Sequence, residues 1–352
     1  MSKPVVIIES HIPFVGDAFA GIAETCVLPP EEINAQSVRH ADALIVRTRT
    51  RCDAALLGGS KVRFVATATI GTDHIDLDYC RKIGIQVVSA PGCNAPAVAQ
   101  YVWSSVLRLI PRESWKADFT IGVVGLGHVG SIVARWGKEL GANVLACDPP
   151  RERMQGGWDD AAPFQAGNRP FVSLDEIASR ADVVTFHTPH TLAGPDATHH
   201  LADAAFFSSL QRHPVVINAA RGPVVDTAAI LSALSSGKVS ECVIDCWEGE
   251  PAISGELLER AAISTPHIAG YSVEGKRRAT AAVVQACLRF LGADSVAPAE
   301  SIPTDPGVAI TPQGILASYN PLADTATLKS TFTPSRFEQL RNTYPLRHEL
   351  GF

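Results

Sequence analysis

The sequence predicts an α/β protein of two doubly wound, Rossmann- or flavodoxin-like parallel-sheet domains with a cleft between them, followed by a small C-terminal region. Three observations carry this expectation. Short β-branched runs alternate with helical stretches over the first hundred residues and again from Thr120 onward, which is the rhythm of βαβ units. The turn Gly125-Leu126-Gly127-His128-Val129-Gly130 closes one such run and opens a helical one. At 352 residues, with 46% hydrophobic and 19% charged content, the chain exceeds one ordinary core.

Taken in order, VVIIE, a polar helical stretch, ALIVRT, KVRFVATAT and IQVVSA form the first series, residues 1–95. Asn94 followed by Ala95-Pro96 reads as a helix start, because an Asn cap and an early Pro suit a first turn. The helix it opens, through Leu109, carries Val98, Tyr101, Val102, Val106 and Leu109 on roughly one face and leads into the second domain. Within residues 96–271 six strand-like runs follow: TIGVVGLGHVG, NVLACDPP, DVVTFHTP, PVVINAARGP, ECVIDCWE and AISTPHIAGY. They predict a complete nucleotide-binding sheet. The helical run GKRRATAAVVQACLRFLG then returns to the first domain, so residues 272–291 complete it and the second domain is an insertion.

Past residue 292 the composition turns to Pro, Ser, Thr and Ala, as a linker does. Order signals resume where Ser335 and Glu338 stand at capping-box spacing ahead of Phe337, Leu340 and Tyr344. Residues 292–352 are too few for an independent core and are expected to pack on something else, such as a second subunit.

Composition excludes several function classes. A net charge of −6 argues against general attraction to nucleic acid or an anionic membrane surface. The start, MSKPVVIIES, lacks a signal peptide's parts, and no apolar run reaches membrane-spanning length, so a cytoplasmic protein is expected. Cys26, Cys52, Cys80, Cys93, Cys147, Cys242, Cys246 and Cys287 show no CxxC spacing and read as reduced thiols. Cys242 and Cys246 gain no ligand at metal-site spacing, so no metal is expected.

A lone GxGxxG is weak, but here it has companions. It follows TIGVV, opens SIVARWGKEL, and precedes by 18 residues an acid, Asp148, at the end of NVLACD. Gly125, Gly127 and Gly130 allow a tight turn, close approach of a pyrophosphate to backbone N–H groups, and helix–strand contact. Asp148 would accept the adenosine ribose hydroxyls and repel a 2′-phosphate, selecting NAD over NADP, although Arg151 and Arg153 lie nearby. A methyltransferase shows a similar loop and acid but has no use for what lies downstream.

Downstream, INAARGPVVD, IDCWEGEP and ISTPHIAGY supply Arg221, Glu250 and His267 in that order. Removing a hydride from a hydroxyl-bearing carbon needs a base for the proton, a cation for the substrate's carboxylate, and a group to orient the base. Singly, the three read as a turn residue, a solvated acid and a strand-end histidine. Jointly they each follow a strand-like run, so a parallel sheet brings all three to its carboxyl edge.

These segments, with TATIGTDHID, PGCNAPAVAQYV, FHTPHTLAGPDATHHL and HIAGYSVEGK, resemble the D-isomer-specific 2-hydroxyacid dehydrogenases, from the N-terminus to about Leu291. Trp247, the Gly249-Glu250 pair and Tyr271 separate the chain from that family's phosphoglycerate and lactate branches. The resemblance implies that Arg221 binds the substrate carboxylate, that His267 takes the hydroxyl proton as hydride leaves for NAD, and that Glu250 orients His267 and pairs its charge.

It further implies cofactor contacts from Gly125, Gly127, His128, Val129, Gly130, Asp148, Thr188, Ala219, Ala220, Arg221, Asp245 and Gly270. Substrate contacts would come from Arg47, Thr48, Thr69, Gly71 and Tyr271. As residues alone, Thr48 and Thr69 read equally well as ordinary turn threonines. Arg47, Arg49 and Arg51 offer the cations a terminal phosphate needs, and Arg336, Arg341 and Arg347 are the candidates for one supplied by a partner subunit.

His74, His187, His199 and His200 read as loop-shaping. Thr48 stands where the family leads one to expect serine, and Gln100 where many relatives have an acid. The end of the chain, SRFEQLRNTYPLRHELGF, resembles a dimerisation region, shorter than usual, which implies a homodimer. The expected ligand is a small phosphorylated 2-hydroxy acid; the alternatives are another 2-hydroxy acid, such as phosphoglycerate, and an NAD-sensing corepressor-like binding protein.

Overall fold

The computed structural model describes residues 3–154, 171–293, 303–305 and 307–352. These divide into two compact units, Met1–Asn94 with Ser272–Thr304, and Ala95–Tyr271 with Asp305–Phe352. Residues 294–302 and 306, within the Pro-rich run after Gly292, lie outside the described residues.

In the first unit, strands β1 (Val5–Glu9), β2 (Glu24–Leu28), β3 (Ala43–Val46), β4 (Phe64–Thr67) and β5 (Gln86–Val88) form one parallel sheet ordered β2-β1-β3-β4-β5. Helices α1 (Ala54–Leu57) and α2 (Leu77–Lys82) lie on the connections, capped by the carboxylates of Asp53 and Asp76. The polar stretch between VVIIE and ALIVRT, expected to be helical, instead holds turns, β2 and one 3-10 turn at Pro30–Glu32. Strand β2 escaped because it is an edge strand with its first four residues exposed, Val27 to 60%, so no buried face writes an alternating pattern into it.

The second unit opens with α3 (Ala95–Leu109), in which every residue from Ala95 to Leu107 is buried. The expected one-sided stripe is therefore corrected. The helix is flanked by α4 (His128–Glu139) and by the C-terminal helix α11 (Pro312–Ser318); of its buried polar side chains Ser105 and Gln100 are hydrogen-bonded, whereas Ser104 Oγ has no partner. Ser105 Oγ donates to Tyr101 O at 2.8 Å, and Gln100 Nε2 donates to Ser318 Oγ at 3.0 Å and His348 O at 3.1 Å.

Strands β6 (Thr120–Val124), β7 (Asn143–Cys147), β8 (Val183–Phe186), β9 (Val215–Asn218), β10 (Glu241–Ile244) and β11 (Ile263–Ser264) form a second parallel sheet, ordered β11-β10-β9-β8-β6-β7. They coincide with the six runs read from the sequence. Their near-continuous apolar content fits burial on both faces. The crossovers carry α5 (Pro149–Arg153), α6 (Leu174–Arg180), α7 (Ala204–Ser209), α8 (Thr227–Ser235) and α9 (Gly255–Arg260). The chain then returns to the first unit as α10 (Val273–Phe290), whose Phe290 stacks on Phe64 of β4 with ring centroids 5.0 Å apart.

The described C-terminal residues share the second unit's core. Ile310, Ile315, Tyr319 and Leu350 join the α3 cluster. Leu328 of α12 (Pro321–Thr331) and Phe337 of α13 (Pro334–Asn342) join the cluster on the other face. Thr325 Oγ1 accepts Ser264 N at 3.0 Å, which closes the open edge of β11. Helix α13 starts earlier than the Ser335 spacing suggested: Thr333 is its N-cap, accepting Arg336 N at 3.0 Å, with Pro334 as its first residue.

Candidate active site

In an open parallel sheet, ligands bind beyond the carboxyl ends of the strands where the winding reverses. In the second unit the reversal lies between β6 and β8. Gly125 leaves β6 at φ +88°, a left-handed conformation, and Gly127 caps α4. A Cβ on Gly130 would stand 1.9 Å from Gly125 O, so the loop closes on its own helix only with glycine there. Asp148, at the end of β7, fixes this loop by accepting Leu126 N at 2.8 Å and caps α5 by accepting Arg151 N at 3.1 Å.

Thr188, just past β8, has a buried hydroxyl with no partner, and its methyl lies 3.0 Å from where a Gly125 Cβ would be. His187 beside it is half-buried, with its Nδ1 buried and also without a partner; desolvation of the ring pushes its pKa down to about 3, so it stays neutral. A glycine cradle, an acid held at its rim and an orphaned buried hydroxyl fit the pyrophosphate, ribose and amide groups of a dinucleotide. His128 and Val129 open α4, while Ala219 and Ala220 follow β9.

Strands β9, β10 and β11 are neighbours, so the three chemistry-bearing loops leave the sheet side by side. Asn218, 1% exposed at the end of β9, stitches the first two: its amide donates to Arg221 O at 3.0 Å and Cys246 O at 3.2 Å. A Cβ on Gly222 would sit 1.9 Å from Trp247 O, so glycine next to Arg221 lets the β9 loop lie against the β10 loop. Arg221, half-buried, donates from Nη1 to Ala220 O at 2.8 Å. Trp247 Nε1 donates to Thr265 O at 2.9 Å and so ties the β10 loop to the β11 loop.

His267 Nδ1 lies 2.9 Å from Glu250 Oε2, while Glu250 Oε1 accepts Trp247 N at 2.8 Å. Burial works to raise the Glu250 pKa, but the His267 charge and hydrogen bond, the Trp247 N–H and the nearby Arg341 cation outweigh it and hold the group below its ordinary value. An ionised carboxylate only accepts, so Nδ1 is the donor and the lone pair of the neutral ring rests on Nε2. His267 has φ +57°, a left-handed conformation that is costly outside glycine.

What holds that conformation is Asp245. Its carboxylate, 1% exposed, accepts Thr265 Oγ1 at 2.7 Å, Ile268 N at 2.7 Å and Ala269 N at 3.1 Å, and His267 N donates to its backbone oxygen at 3.0 Å. Burial raises the Asp245 pKa, against lowering by the His267 charge and by these hydrogen bonds. Asp245 thus organises the loop that carries Gly270, beneath the surface at which a cofactor contact was expected.

The C-terminal segment adds groups that motif reading did not place. Arg347 donates to Ile268 O and Tyr271 O at 3.1 Å, to Ala97 O at 3.2 Å and to Ala269 O, and its guanidinium lies 4.2 Å over the Tyr319 ring. Arg341 lies 3.8 Å from Glu250 and hydrogen-bonds to Tyr271. Arg336 is engaged with Gln339 on its own helix. Their spacing in sequence gives no sign of these roles; Asn218 and Gly222, at a strand end and a tight turn, carry the clearer signal.

In the first unit, buried Glu9 ends β1 at that sheet's own reversal and accepts Arg47 N and Thr50 Oγ1, each at 2.8 Å. The Arg47 side chain donates to His11 O at 3.1 Å. Thr48 is exposed, while Thr69 is half-buried, bonded to Thr67 and to Gly71 O at 3.1 Å. Arg51, 83% exposed, pairs with Asp53.

Residues 102–269 match the family model "D-isomer specific 2-hydroxyacid dehydrogenase, NAD binding domain". The erythronate-4-phosphate dehydrogenase of Bacteroides thetaiotaomicron is 45% identical, covering 98% of this chain and 97% of that protein. The chain belongs to the D-isomer-specific 2-hydroxyacid dehydrogenase family. The Escherichia coli erythronate-4-phosphate dehydrogenase is 39% identical over 98% of this chain and 92% of its own length. Among solved structures, the D-lactate dehydrogenase of Aquifex aeolicus, complexed with NAD and lactic acid, superposes with a TM-score of 0.68 at 26% identity, covering 82% of this chain and 96% of that one. As a family member the chain is an NAD-dependent dehydrogenase, and the glycine cradle with Asp148 and Thr188 is the part of it that fits that cofactor. No helix of the described residues is long and apolar enough to cross a membrane.

Proposed function

We propose that the chain oxidises the C2 hydroxyl of 4-phospho-D-erythronate to (R)-3-hydroxy-2-oxo-4-phosphobutanoate, a step of pyridoxal 5′-phosphate biosynthesis. The observation that carries the chemistry is the 2.9 Å bond between His267 Nδ1 and Glu250. It orients a neutral imidazole whose Nε2 takes the hydroxyl proton while the C2–H bond breaks. Bound NAD supplies the hydride acceptor. The Arg221 guanidinium matches a planar carboxylate and would polarise the C2 oxygen. The substrate identity is supported by relatives of that name at 39–45% identity over nearly the whole chain. Thr48, Thr69 and Gly71 of the first unit and Tyr271 of the second are assigned to the rest of the substrate, and Arg47 to its phosphate.

Incubation with NAD and 4-phospho-D-erythronate, with a 2-oxo acid added in a second arm to recycle NADH, tests the reading through nicotinamide absorbance. A preference for phosphoglycerate rejects the substrate, and NAD binding without turnover of any acid favours a sensing role. Arg221→Lys is expected to lower kcat/KM by about 10²–10³, since an ammonium cannot reproduce the fork. Unaltered substrate saturation in that variant would count against the assignment.

The reading extends to a homodimer in the cytoplasm. The eight free thiols, seven of them buried, suit a reducing compartment, and the resemblance of the last residues to a dimerisation region supports the dimer. Light scattering of the purified protein decides between dimer and monomer.

A further inference from the structure

Arg341 sits on α13, far along the chain from the strand-end loops, yet 3.8 Å from Glu250 Oε2, the oxygen that holds His267. Its side chain is only 19% exposed. An arginine withdrawn from water to this degree needs anionic and hydrogen-bonding partners to offset its desolvation. It has Glu250 on one side, Tyr271 on another, and Glu338 within its own helix. Phe337, fully buried on the same helix, anchors the element that presents it.

We propose that Arg341 is a positioning residue for the proton-accepting pair and for Tyr271, acting from the C-terminal segment of the same chain. A carboxylate bonded to imidazole alone would stabilise the imidazolium strongly and keep the base protonated near neutrality. A guanidinium on the same carboxylate oxygen divides that negative charge. Glu250 then orients His267 without over-stabilising its charged form, and Tyr271 is fixed by the same fork. The inference rests on the dehydrogenase reading above for its meaning, though not for its test.

The groups facing the pair are these. His267 is faced by Glu250 from the β10 loop and by buried Asp245 at the end of β10. Glu250 is faced by Arg341 and lies near the buried Cys246 thiol, which also feels Arg221. Asp245 and Glu250 favour the imidazolium; the two arginines oppose it.

The experiment uses the full chain, wild type and the variants Arg341→Gln and Arg341→Lys. The His267 imidazole is titrated by NMR, its signal assigned by its loss in His267→Gln, so that no substrate is needed. In Arg341→Gln the His267 titration is expected to rise by about one pH unit, and NADH binding to persist. The acid limb of kcat/KM should move up with it, and kcat/KM at neutral pH should fall by about 10-fold or more. Arg341→Lys should restore the titration while KM stays raised, because the ammonium keeps the charge but not the fork to Tyr271.

An unmoved His267 titration in a folded Arg341→Gln overturns the proposal, even if activity falls. If that variant does not fold, Arg341→Lys decides: a wild-type titration with raised KM supports the role, and wild-type KM removes it. Failure of wild type to oxidise 4-phospho-D-erythronate, with the titration shift present, would reject the substrate reading alone.

Discussion

Replacing His267 by Ala is expected to lower kcat by about 10²–10⁴ while NADH binding survives. The glycine cradle, Asp148 and Thr188 belong to β6, β7 and β8, whereas His267 follows β11 at the far side of the same sheet. Deleting the imidazole therefore removes the proton acceptor without touching the cradle. The backbone complicates the substitution, since His267 lies at φ +57° and Ala adopts that region less readily than Asn. His267→Asn is the companion variant: it tolerates the left-handed conformation but has no group able to take the proton. Both variants should lose turnover to a similar extent, as measured by steady-state nicotinamide reduction. Near-wild-type kcat in Asn alongside loss in Ala would assign the histidine to loop geometry, and unchanged turnover in both would remove it from the chemistry.

The second large effect is expected at Arg347. In Arg347→Ala, the carbonyls of Ile268, Ala269, Tyr271 and Ala97 and the Gln100 side chain lose their guanidinium donor. Orphaned buried acceptors cost about 1–3 kcal/mol each where water cannot replace the donor, and the packing over Tyr319 is lost as well. Partial hydration leaves an expected loss of about 3–5 kcal/mol, read by urea denaturation. Activity should fall beyond what stability explains, because three of those carbonyls belong to the loop immediately after His267. Lys supplies too few donors, in the wrong geometry, to rescue it. A thermal midpoint within about 2 °C of wild type would show the clamp to be dispensable.

Legibility followed burial. The six strands of the second sheet were readable because each is an apolar run buried on both faces, and the glycine turn with Asp148 was readable because the motif encodes its own backbone geometry. Strand β2 was not, since an exposed edge strand bears no hydrophobic signature. Helix α3 was legible from Asn94-Ala95-Pro96 and its length, although Asn94 Oδ1 is buried without a partner and does not cap the first turn, and its burial on all sides depends on α11, whose contact with it is set more than two hundred residues later. The α13 cap was misplaced by two residues because Ser335 and Thr333 both precede the apolar positions, and only Pro334 at the first helical position discriminates between them.

For the site, the identities of Arg221, Glu250 and His267 and their arrival at one sheet edge follow from sequence, because a parallel sheet with right-handed crossovers leaves a strand-end residue nowhere else to go. The pairing of His267 with Glu250, the inward turn of Asp245 and the arrangement of Arg341 and Arg347 around the same loop were decided by tertiary structure. Those contacts join segments up to 250 residues apart. They depend on close approaches, at Gly222 against Trp247 and of α13 beside Glu250, whose distances are set by packing rather than by any local pattern of residues. The sequence alone determined which chemical groups meet the strand ends; the fold decided which of them touch.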